Sequence, residues 1–161
     1  VCFAAHRQAP RVDDPLVSAW LAVNCIREWR GDTHFAILTS EDISRVQAGI
    51  LHDAHLNYGG WIAQSRGADA EAITRAFADL ESRGLAEDGV VSTAGLAVRE
   101  LIEERTNELS QRVWQSFGLE NTERFLELVE PIGDRLMKRI DDTAGPNWMP
   151  AARERRPSFT E

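Results

Sequence analysis

The sequence lacks the features that mark several classes of protein. No apolar run approaches the roughly 18 residues that a transmembrane helix needs, and its two cysteines, Cys2 and Cys25, show neither metal-ligand spacing nor a disulfide framework. Hydrophobic residues make up 43% of the chain and charged residues 27%, as in folded globular proteins. These observations exclude membrane-spanning and disordered proteins and favour a reducing cytoplasm. A length of 161 residues is sufficient for one domain with its own core.

Positive charge is also scarce. The chain has 18 basic against 26 acidic residues, a net charge of −8, and its single lysine is Lys138. Only the segment from Gly145 onward has more basic than acidic residues. A surface that holds DNA phosphates usually carries a basic stripe, and the sequence shows none. The charge therefore disfavours DNA as a partner, without excluding it.

The common catalytic fingerprints are missing. The sequence contains no nucleophile elbow of the G-x-S-x-G type, no phosphate-binding loop and no glycine-rich dinucleotide motif. Serine hydrolases and nucleotide-dependent enzymes are disfavoured, and we predict no cofactor.

The first third of the chain is predicted to contain three short helices after an irregular lead-in at residues 1–13. Asp13 or Asp14 followed by Pro15 predicts the start of a helix over residues 14–30, with Trp20 on its core face. Gly31 is expected to end this helix. Asp32 would then cap a second helix that carries Phe35, Ile37 and Leu38. A third helix is expected from about Asp42.

The rest of the chain shows the only clear β signal. After a turn over Asn57–Trp61 and a break at Arg66–Gly67, the pattern predicts a helix from Asp69 to Arg83–Gly84. A hairpin follows over residues 85–92, turning at Asp88–Gly89. Thr93 is expected to cap a long helix. Another helix is expected from about Asn121, kinked at Pro131 and Gly133, and residues 145–161 should be a flexible tail.

The order of these elements indicates a mostly α fold with a small β-hairpin wing, a winged helix-turn-helix over residues 14–144. The segments Leu80–Leu85 and Ser92–Gly95 resemble the end of the recognition helix, the wing and the return helix of MarR-like proteins. The resemblance implies a transcriptional regulator. The apolar face of the C-terminal helix, from Phe125 to Ile140, is long for a monomer and predicts a homodimer.

A narrower resemblance covers about residues 16–132. The matching segments are Trp20, Arg27–His34, Leu51–Ala54, Arg83–Leu85, Arg105–Leu109 and Trp114, and they are similar to the SalK-like helix-turn-helix family of bacterial proteins. The usual pattern of that family is Arg-Glu-His-Arg-Gly-Asp-Gly-His, from which Trp29 and Thr33 depart. The resemblance implies the fold more firmly than an activity.

The segment from Arg27 to His34 is the densest polar cluster of the first third. Asp32 beside His34 could fix the tautomer of the imidazole and raise its pKa, which suits proton transfer near neutral pH. In a structural interpretation, Asp32 is only a helix cap, while Arg27 and Arg30 complement the C-terminal end of the preceding helix. Both interpretations remain open at this point.

Two further features bear on a ligand pocket. Aromatic residues concentrate near the polar cluster, and we expect Trp29, Tyr58 and Trp61 to form the walls of a pocket between the first helices and the long helix after the hairpin. His52 and His55 form an H-x-x-H pair. Without a second pair of ligands this spacing is weak, so no metal site is predicted.

Three residues are the best candidates for DNA contacts: Arg66, Thr74 and Arg75. Around them the predicted recognition helix is acidic, and the wing tip, Glu87–Gly89, has no basic residue. DNA binding is therefore expected to be weakened or lost.

The leading hypothesis is a small-molecule-responsive winged-helix protein of regulator type. The alternative is a cofactor-independent biosynthetic enzyme that uses His34 as acid or base, Asp32 to orient it and His52 as a second proton carrier, with Arg27 or Arg30 holding an anionic substrate. A protein-interaction module is a third reading.

Overall fold

A computed structural model describes residues 2–10, 12–149 and 153. The described part of the chain is mostly helical, with one small antiparallel hairpin. In chain order the elements are α1 (Cys2–Arg7), α2 (Pro15–Ser40), α3 (Arg45–Leu56), α4 (Trp61–Ser65), α5 (Ala70–Ser82), β1 (Ala86–Glu87), β2 (Val90–Val91), α6 (Thr93–Ser110), α7 (Arg112–Phe117) and α8 (Leu119–Thr143).

Helix α2 begins where the sequence predicts and ends much later. The Asp14 carboxylate accepts hydrogen bonds from the backbone N–H groups of Leu16 and Val17, and Pro15 occupies the first turn. The helix does not end at Gly31 but continues to Ser40. A glycine inside a helix costs only about 1 kcal/mol relative to alanine. Burial of Ile37 and Leu38 in the core offsets that cost, so the predicted second helix is the end of the first.

Asp32 caps a helix other than the one predicted. Its two carboxylate oxygens accept hydrogen bonds from the backbone N–H groups of Cys2 and Phe3, at 3.2 and 2.9 Å. These groups lie in the first turn of α1, which replaces the irregular lead-in that the sequence predicted. Phe3 also contacts the ring of Trp29 edge to face, with 5.3 Å between the ring centroids. Asp32 and Trp29 therefore fix α1 against α2.

The hydrophobic core lies between the second half of α2 and helices α3, α5 and α6. Its largest members are Ile37, Leu38, Ile43, Ile50, Leu51, Leu80, Leu85 and Ile102. The prediction that Trp20 belongs to the core is wrong, because this residue is 60% exposed. The first half of α2 projects beyond the helices that cover the second half, and periodicity alone cannot show where that cover ends.

Helices α3 to α5 have strong local end signals. Ser44 and Gln47 form a capping box that places the start of α3 at Arg45 instead of Asp42, and Asn57 ends it in the left-handed conformation. The buried Asp53 carboxylate accepts the N–H groups of Gly60 and Ile62, both at 2.7 Å, which fixes α4 to α3. Asp69 caps α5 as predicted.

The hairpin forms at the predicted residues. Ala86 pairs with Val91 and Glu87 with Val90, and both turn residues, Asp88 and Gly89, have positive φ angles. Two residues with positive φ in succession form a two-residue turn whose twist matches the right-handed twist of the flanking strands.

Helices α6 to α8 differ from the prediction mainly at their ends. Ser92, one residue before Thr93, caps α6. The separate helix α7 precedes α8, which starts at Leu119 instead of Asn121 and continues through Pro131. No residue of α8 is buried, although its apolar side chains recur at helical spacing.

Most of the predicted tail lies outside the described residues. In the described part, Trp148 contacts Trp61 of α4 edge to face at 5.3 Å. Arg153 donates hydrogen bonds to the Trp148 carbonyl and the Asp141 carboxylate. The chain after α8 therefore returns to α4.

The close packing of the first turn of α6 against Leu85 can be tested by substitution of Gly95. A Cβ on Gly95 would lie 2.2 Å from the Leu85 carbonyl oxygen, whereas a Cβ on Gly133 would meet nothing within 4 Å. We expect Gly95→Ala to lower the free energy of unfolding by about 2 kcal/mol or more, because backbone must move. The control Gly133→Ala should raise it by about 0.5–1 kcal/mol. Urea unfolding measures both, and equal effects would contradict this packing.

Candidate functional site

The principal candidate site is a cavity of about 500 Å³ between α2, α3 and α6, which reaches the turn after α4. Helix α2 contributes residues one turn apart, α6 contributes residues at the same spacing, and α3 closes the third side. The lining residues are Arg30, His34, Leu38, Ala48, Leu51, His52, Arg66, Arg99, Ile102 and Glu103. We call this space the α2–α6 cavity.

The charged lining of the cavity is predominantly positive. Among the described residues of the lining, three guanidinium groups, from Arg30, Arg66 and Arg99, accompany one carboxylate, that of Glu103. Arg30 Nη2 donates to Glu103 at 2.8 Å and to the side-chain oxygen of Asn107 at 3.0 Å. Arg99 pairs with Glu100, and Arg66 adds a further positive charge, so the cavity favours an anionic ligand.

The hydrogen bonds of His34 define its tautomer. The Oγ1 of Thr106, a fully buried residue, donates its only proton to the Ile102 carbonyl at 2.6 Å. The same oxygen lies 3.0 Å from His34 Nδ1 and must therefore accept from it. In the neutral ring Nδ1 carries the proton, and Nε2 is a hydrogen-bond acceptor.

The pKa of His34 is lower than that of an ordinary histidine. Burial disfavours the charged ring, and the positive charges of Arg30, Arg66 and Arg99 add to this effect. The Glu103 carboxylate, 3.9 Å from Nδ1, opposes it. The lowered pKa keeps His34 neutral at pH 7.

His52 faces the cavity from α3, and its neutral ring carries the proton on the other nitrogen from that of His34. Arg99 Nη2 lies 3.4 Å from His52 Nδ1, and because a guanidinium only donates, Nδ1 accepts. The proton of the neutral ring is then on Nε2. Burial, followed by the charges of Arg99 and Arg66, lowers the pKa of His52 to about 4.

Glu103 remains ionised in this setting. Burial alone would raise its pKa, but the hydrogen bond and positive charge of Arg30, with further charges nearby, lower it below the usual value. The ionised carboxylate and Arg30 thus form a fixed pair on one side of the cavity.

The remaining wall is apolar. Leu38, Leu51 and Ile102 belong to the core and expose one side to the cavity beside Ala48. A ligand that satisfies both parts of the lining has an apolar body and an anionic group.

Of the predicted acid–base and ligand residues, the cavity brings together His34, His52 and Arg30, and leaves out the others. Asp32 does not orient His34, because its carboxylate is bound to α1. Arg27 is exposed and pairs with Glu28. Trp29 lines a separate cavity, and Tyr58 and Trp61 form an aromatic cluster with Trp148, so none of the three is a wall here.

The predicted DNA-contact residues have different surroundings. Thr74 and Arg75 lie on the exposed side of α5, where Thr74 donates to the Ala70 carbonyl and Arg75 pairs with Glu71. Arg66, in the turn between α4 and α5, lines the α2–α6 cavity instead.

Helix α6 contributes functional residues that no motif in the sequence predicts. Arg99, Glu103 and Thr106 recur with Ile102 at helical spacing, so the inward side of α6 carries three polar residues. The sequence signal for this contribution is the presence of polar residues at positions that the helical period assigns to the core. The segment 105–109 carries part of the family resemblance, but the contact of Thr106 with His34 is not visible in the sequence.

A metal site does not emerge from the described residues. His52 lines the cavity whereas His55 is exposed, and within the described chain no three His, Cys, Asp or Glu side chains are grouped to hold a metal ion. None of the described helices has both the length and the apolar character needed to cross a membrane.

Helices α4 and α5 are joined by residues 66–69 and precede the hairpin, an arrangement consistent with a helix-turn-helix protein. The model of a helix-turn-helix family matches residues 1–143, so the chain belongs to that family. No curated protein and no solved structure matches the chain. Membership in a helix-turn-helix family suggests a DNA-binding regulator type.

The lowered pKa of His52 makes stability depend on pH. Between pH 7 and pH 5 the unfolded chain binds a proton at His52, whereas the folded protein does not, so acidification favours unfolding. After allowance for solvent screening of this partly exposed ring, we expect a loss of about 1 kcal/mol from this residue. His52→Gln should remove that part of the pH dependence in urea unfolding.

His55→Gln is the matched control, because His55 is an exposed histidine on the same helix. It should leave the difference between pH 7 and pH 5 as in the wild type. An unchanged pH dependence in His52→Gln would contradict the burial of a neutral imidazole.

Proposed function

We propose that the protein is a small-molecule-responsive regulator of winged helix-turn-helix type, MarR-like in arrangement, with weakened DNA binding. In this proposal α5 is the recognition helix, the hairpin β1–β2 is the wing, and an organic anion in the α2–α6 cavity is the effector. The order α5, hairpin, α6 supports the winged arrangement.

One observation carries the proposal: Arg66 belongs to both parts of the molecule. It lies in the turn that connects α4 to α5, and its side chain lines the cavity. No other lining residue comes from the segment 61–82. A carboxylate bound to Arg66 therefore acts on the turn that sets the direction of α5. The binding free energy of the ligand then differs between the orientations of that helix.

The charge on the DNA-facing side accounts for weakened binding. Around Arg75, α5 carries Glu71, Asp79 and Glu81 and is preceded by Asp69, and the wing tip adds Glu87 and Asp88. The N-terminal end of a helix attracts phosphate, but carboxylates in its first turn oppose that attraction. Binding through this surface should be weak and dependent on salt.

The effector role can be tested by fluorescence anisotropy with a labelled random duplex and 3-phenylpropionate, a carboxylate with an apolar ring. We expect a dissociation constant on the order of 10⁻⁴ M near physiological salt, changed at least about threefold by 3-phenylpropionate. Arg66→Gln should abolish that change. Arg75→Gln, on the outer side of α5, should weaken DNA binding and preserve the response.

Two results would reject the regulator proposal. One is an absence of DNA binding even at about 50 mM salt. The other is a ligand whose binding to the cavity, followed by the NMR signals of His34, leaves the affinity for DNA unchanged.

A second copy of the chain is the proposed partner of α8. Leu128, Ile132 and Leu136 lie one turn apart, and each is more than 40% exposed. A 25-residue amphipathic helix with no buried residue leaves a long apolar stripe in water, and an identical stripe on a second copy is self-complementary.

Sedimentation velocity tests the homodimer. We expect the wild type to sediment as a dimer and Ile132→Glu as a monomer, because the charge would be buried unpaired in the interface. The control Arg135→Gln, at an exposed polar position of α8, should remain dimeric. A monomeric wild type across its soluble concentrations would contradict the proposal.

A further inference from the structure

The lining of the α2–α6 cavity asks for two chemical groups at once. Arg30 is engaged by Glu103 and Asn107, whereas Arg66 forms no ion pair with any of the described residues. Arg66 is therefore the guanidinium that a further carboxylate can pair with. An apolar group belongs on the opposite part of the lining, which consists of Leu38, Ala48, Leu51 and Ile102.

Residues 157–161 of the same chain contain both groups. Phe159 supplies an aromatic ring, and Glu161, two residues later, supplies a carboxylate. The basic residues Arg155 and Arg156 precede Pro157, so residues 157–161 themselves carry no positive side chain. This segment lies outside the described residues. Its chemistry is that of an apolar carboxylate attached to the protein.

The described part of the chain after α8 leads towards the cavity. Trp148 contacts Trp61 in the first turn of α4, with 5.3 Å between the ring centroids, and Arg66 directly follows that helix. The Arg153 side chain donates to the Trp148 carbonyl at 2.7 Å, so residue 153 lies within one side-chain length of Trp148. Trp61 and Arg66 are about 8 Å apart along α4. The eight residues 154–161 span up to about 26 Å when extended, which allows Glu161 to reach Arg66.

We propose that residues 157–161 bind in the α2–α6 cavity of their own chain as an internal ligand. The Glu161 carboxylate pairs with the Arg66 guanidinium, and the Phe159 ring packs against Leu38 and Leu51. The segment competes with external organic anions, so the chain carries its own inhibitor of effector binding. This inference rests on the proposal that the cavity binds an apolar anion, but it does not require DNA binding.

Attachment to the same chain makes a weak contact sufficient for this competition. A short linker holds the segment at an effective concentration in the millimolar range. One exposed ion pair and one aromatic ring bind weakly as a free peptide, but at millimolar concentration even weak binding occupies a substantial fraction of the cavities. An external anion must displace the segment, so its apparent dissociation constant rises.

Titration with 3-phenylpropionate, followed by the NMR signals of His34, tests the competition. The full chain with both Phe159→Ser and Glu161→Gln should bind this anion at least about threefold more tightly than the wild type, because the internal competitor is lost. Thr160→Ala, between the two positions, is the matched control and should keep the wild-type dissociation constant. In an Arg66→Gln background the two substitutions should lose most of their effect, because the segment has no ionic partner there.

A nitroxide label on the segment tests its location. The label is attached to Ser158→Cys in the full chain, with Cys2→Ser and Cys25→Ser so that only one thiol reacts. We expect broadening of the methyl NMR signals of Leu38 and Leu51, and recovery of these signals when saturating 3-phenylpropionate displaces the segment. The same protein with the nitroxide reduced is the control and should show no broadening.

A mixture of two kinds of chain distinguishes the internal arrangement from an exchange between copies. One kind carries the nitroxide without isotope labels, and the other carries methyl labels without the nitroxide. An internal ligand leaves the methyl signals of Leu38 and Leu51 sharp in this mixture. Broadening there would place the segment in the cavity of a second copy and would reject the proposal.

Two further outcomes would overturn the proposal. If the wild type and the doubly substituted chain bind 3-phenylpropionate equally, or neither binds it, the competition is rejected. If the methyl signals of the singly labelled chain stay sharp, the location in the cavity is rejected. The regulator proposal fails separately, through an absence of DNA binding or of a DNA response, and neither of these measurements involves DNA.

Discussion

The polar seam between α2 and α6 is the constraint on which the rest of the structure depends. Arg30 pairs with Glu103, His34 with Thr106, and Arg105 with Glu41 at the end of α2. Partly buried polar pairs are costly to break, and their hydrogen bonds form only in particular directions. These pairs therefore fix the register of α2 against α6 more strictly than the apolar contacts beside them. Arg30, His34 and Glu103 of these pairs also line the cavity, beside Leu38 and Ile102.

Local signals made the second half of the fold predictable. Asp69, Asp88–Gly89 and Ser92–Gly95 specify a cap, a tight turn and a close helix start through backbone geometry alone, and the structure confirms α5 and the hairpin. The helix end predicted at Gly31 and the cap predicted at Asp32 are wrong, because Gly31 lies inside a long helix and the Asp32 carboxylate caps α1, a distant segment. Which N–H group a carboxylate binds 29 or 30 residues away is decided by packing, which periodicity does not contain.

The candidate site was predictable only in part for the same reason. His34, His52 and Arg30 stood out as polar residues in an apolar pattern, and all three line the cavity. Their partners Thr106, Glu103 and Arg99 lie 47 to 73 residues away in the chain, on a helix whose own pattern reads as an ordinary amphipathic one. Arg66 appeared to be a phosphate contact, and only the fold shows that it turns inward.

Helix α2 is long enough to connect the cavity with the end of α5. At 1.5 Å per residue its 26 residues form a rod of about 39 Å. Arg30 and His34 line the cavity from the second half of the helix. The carbonyl groups of Glu41 and Asp42, just past its end, accept hydrogen bonds from the guanidinium of Arg83 at the end of α5. The cavity and the end of α5 are therefore connected through one continuous helix and the two hydrogen bonds of Arg83.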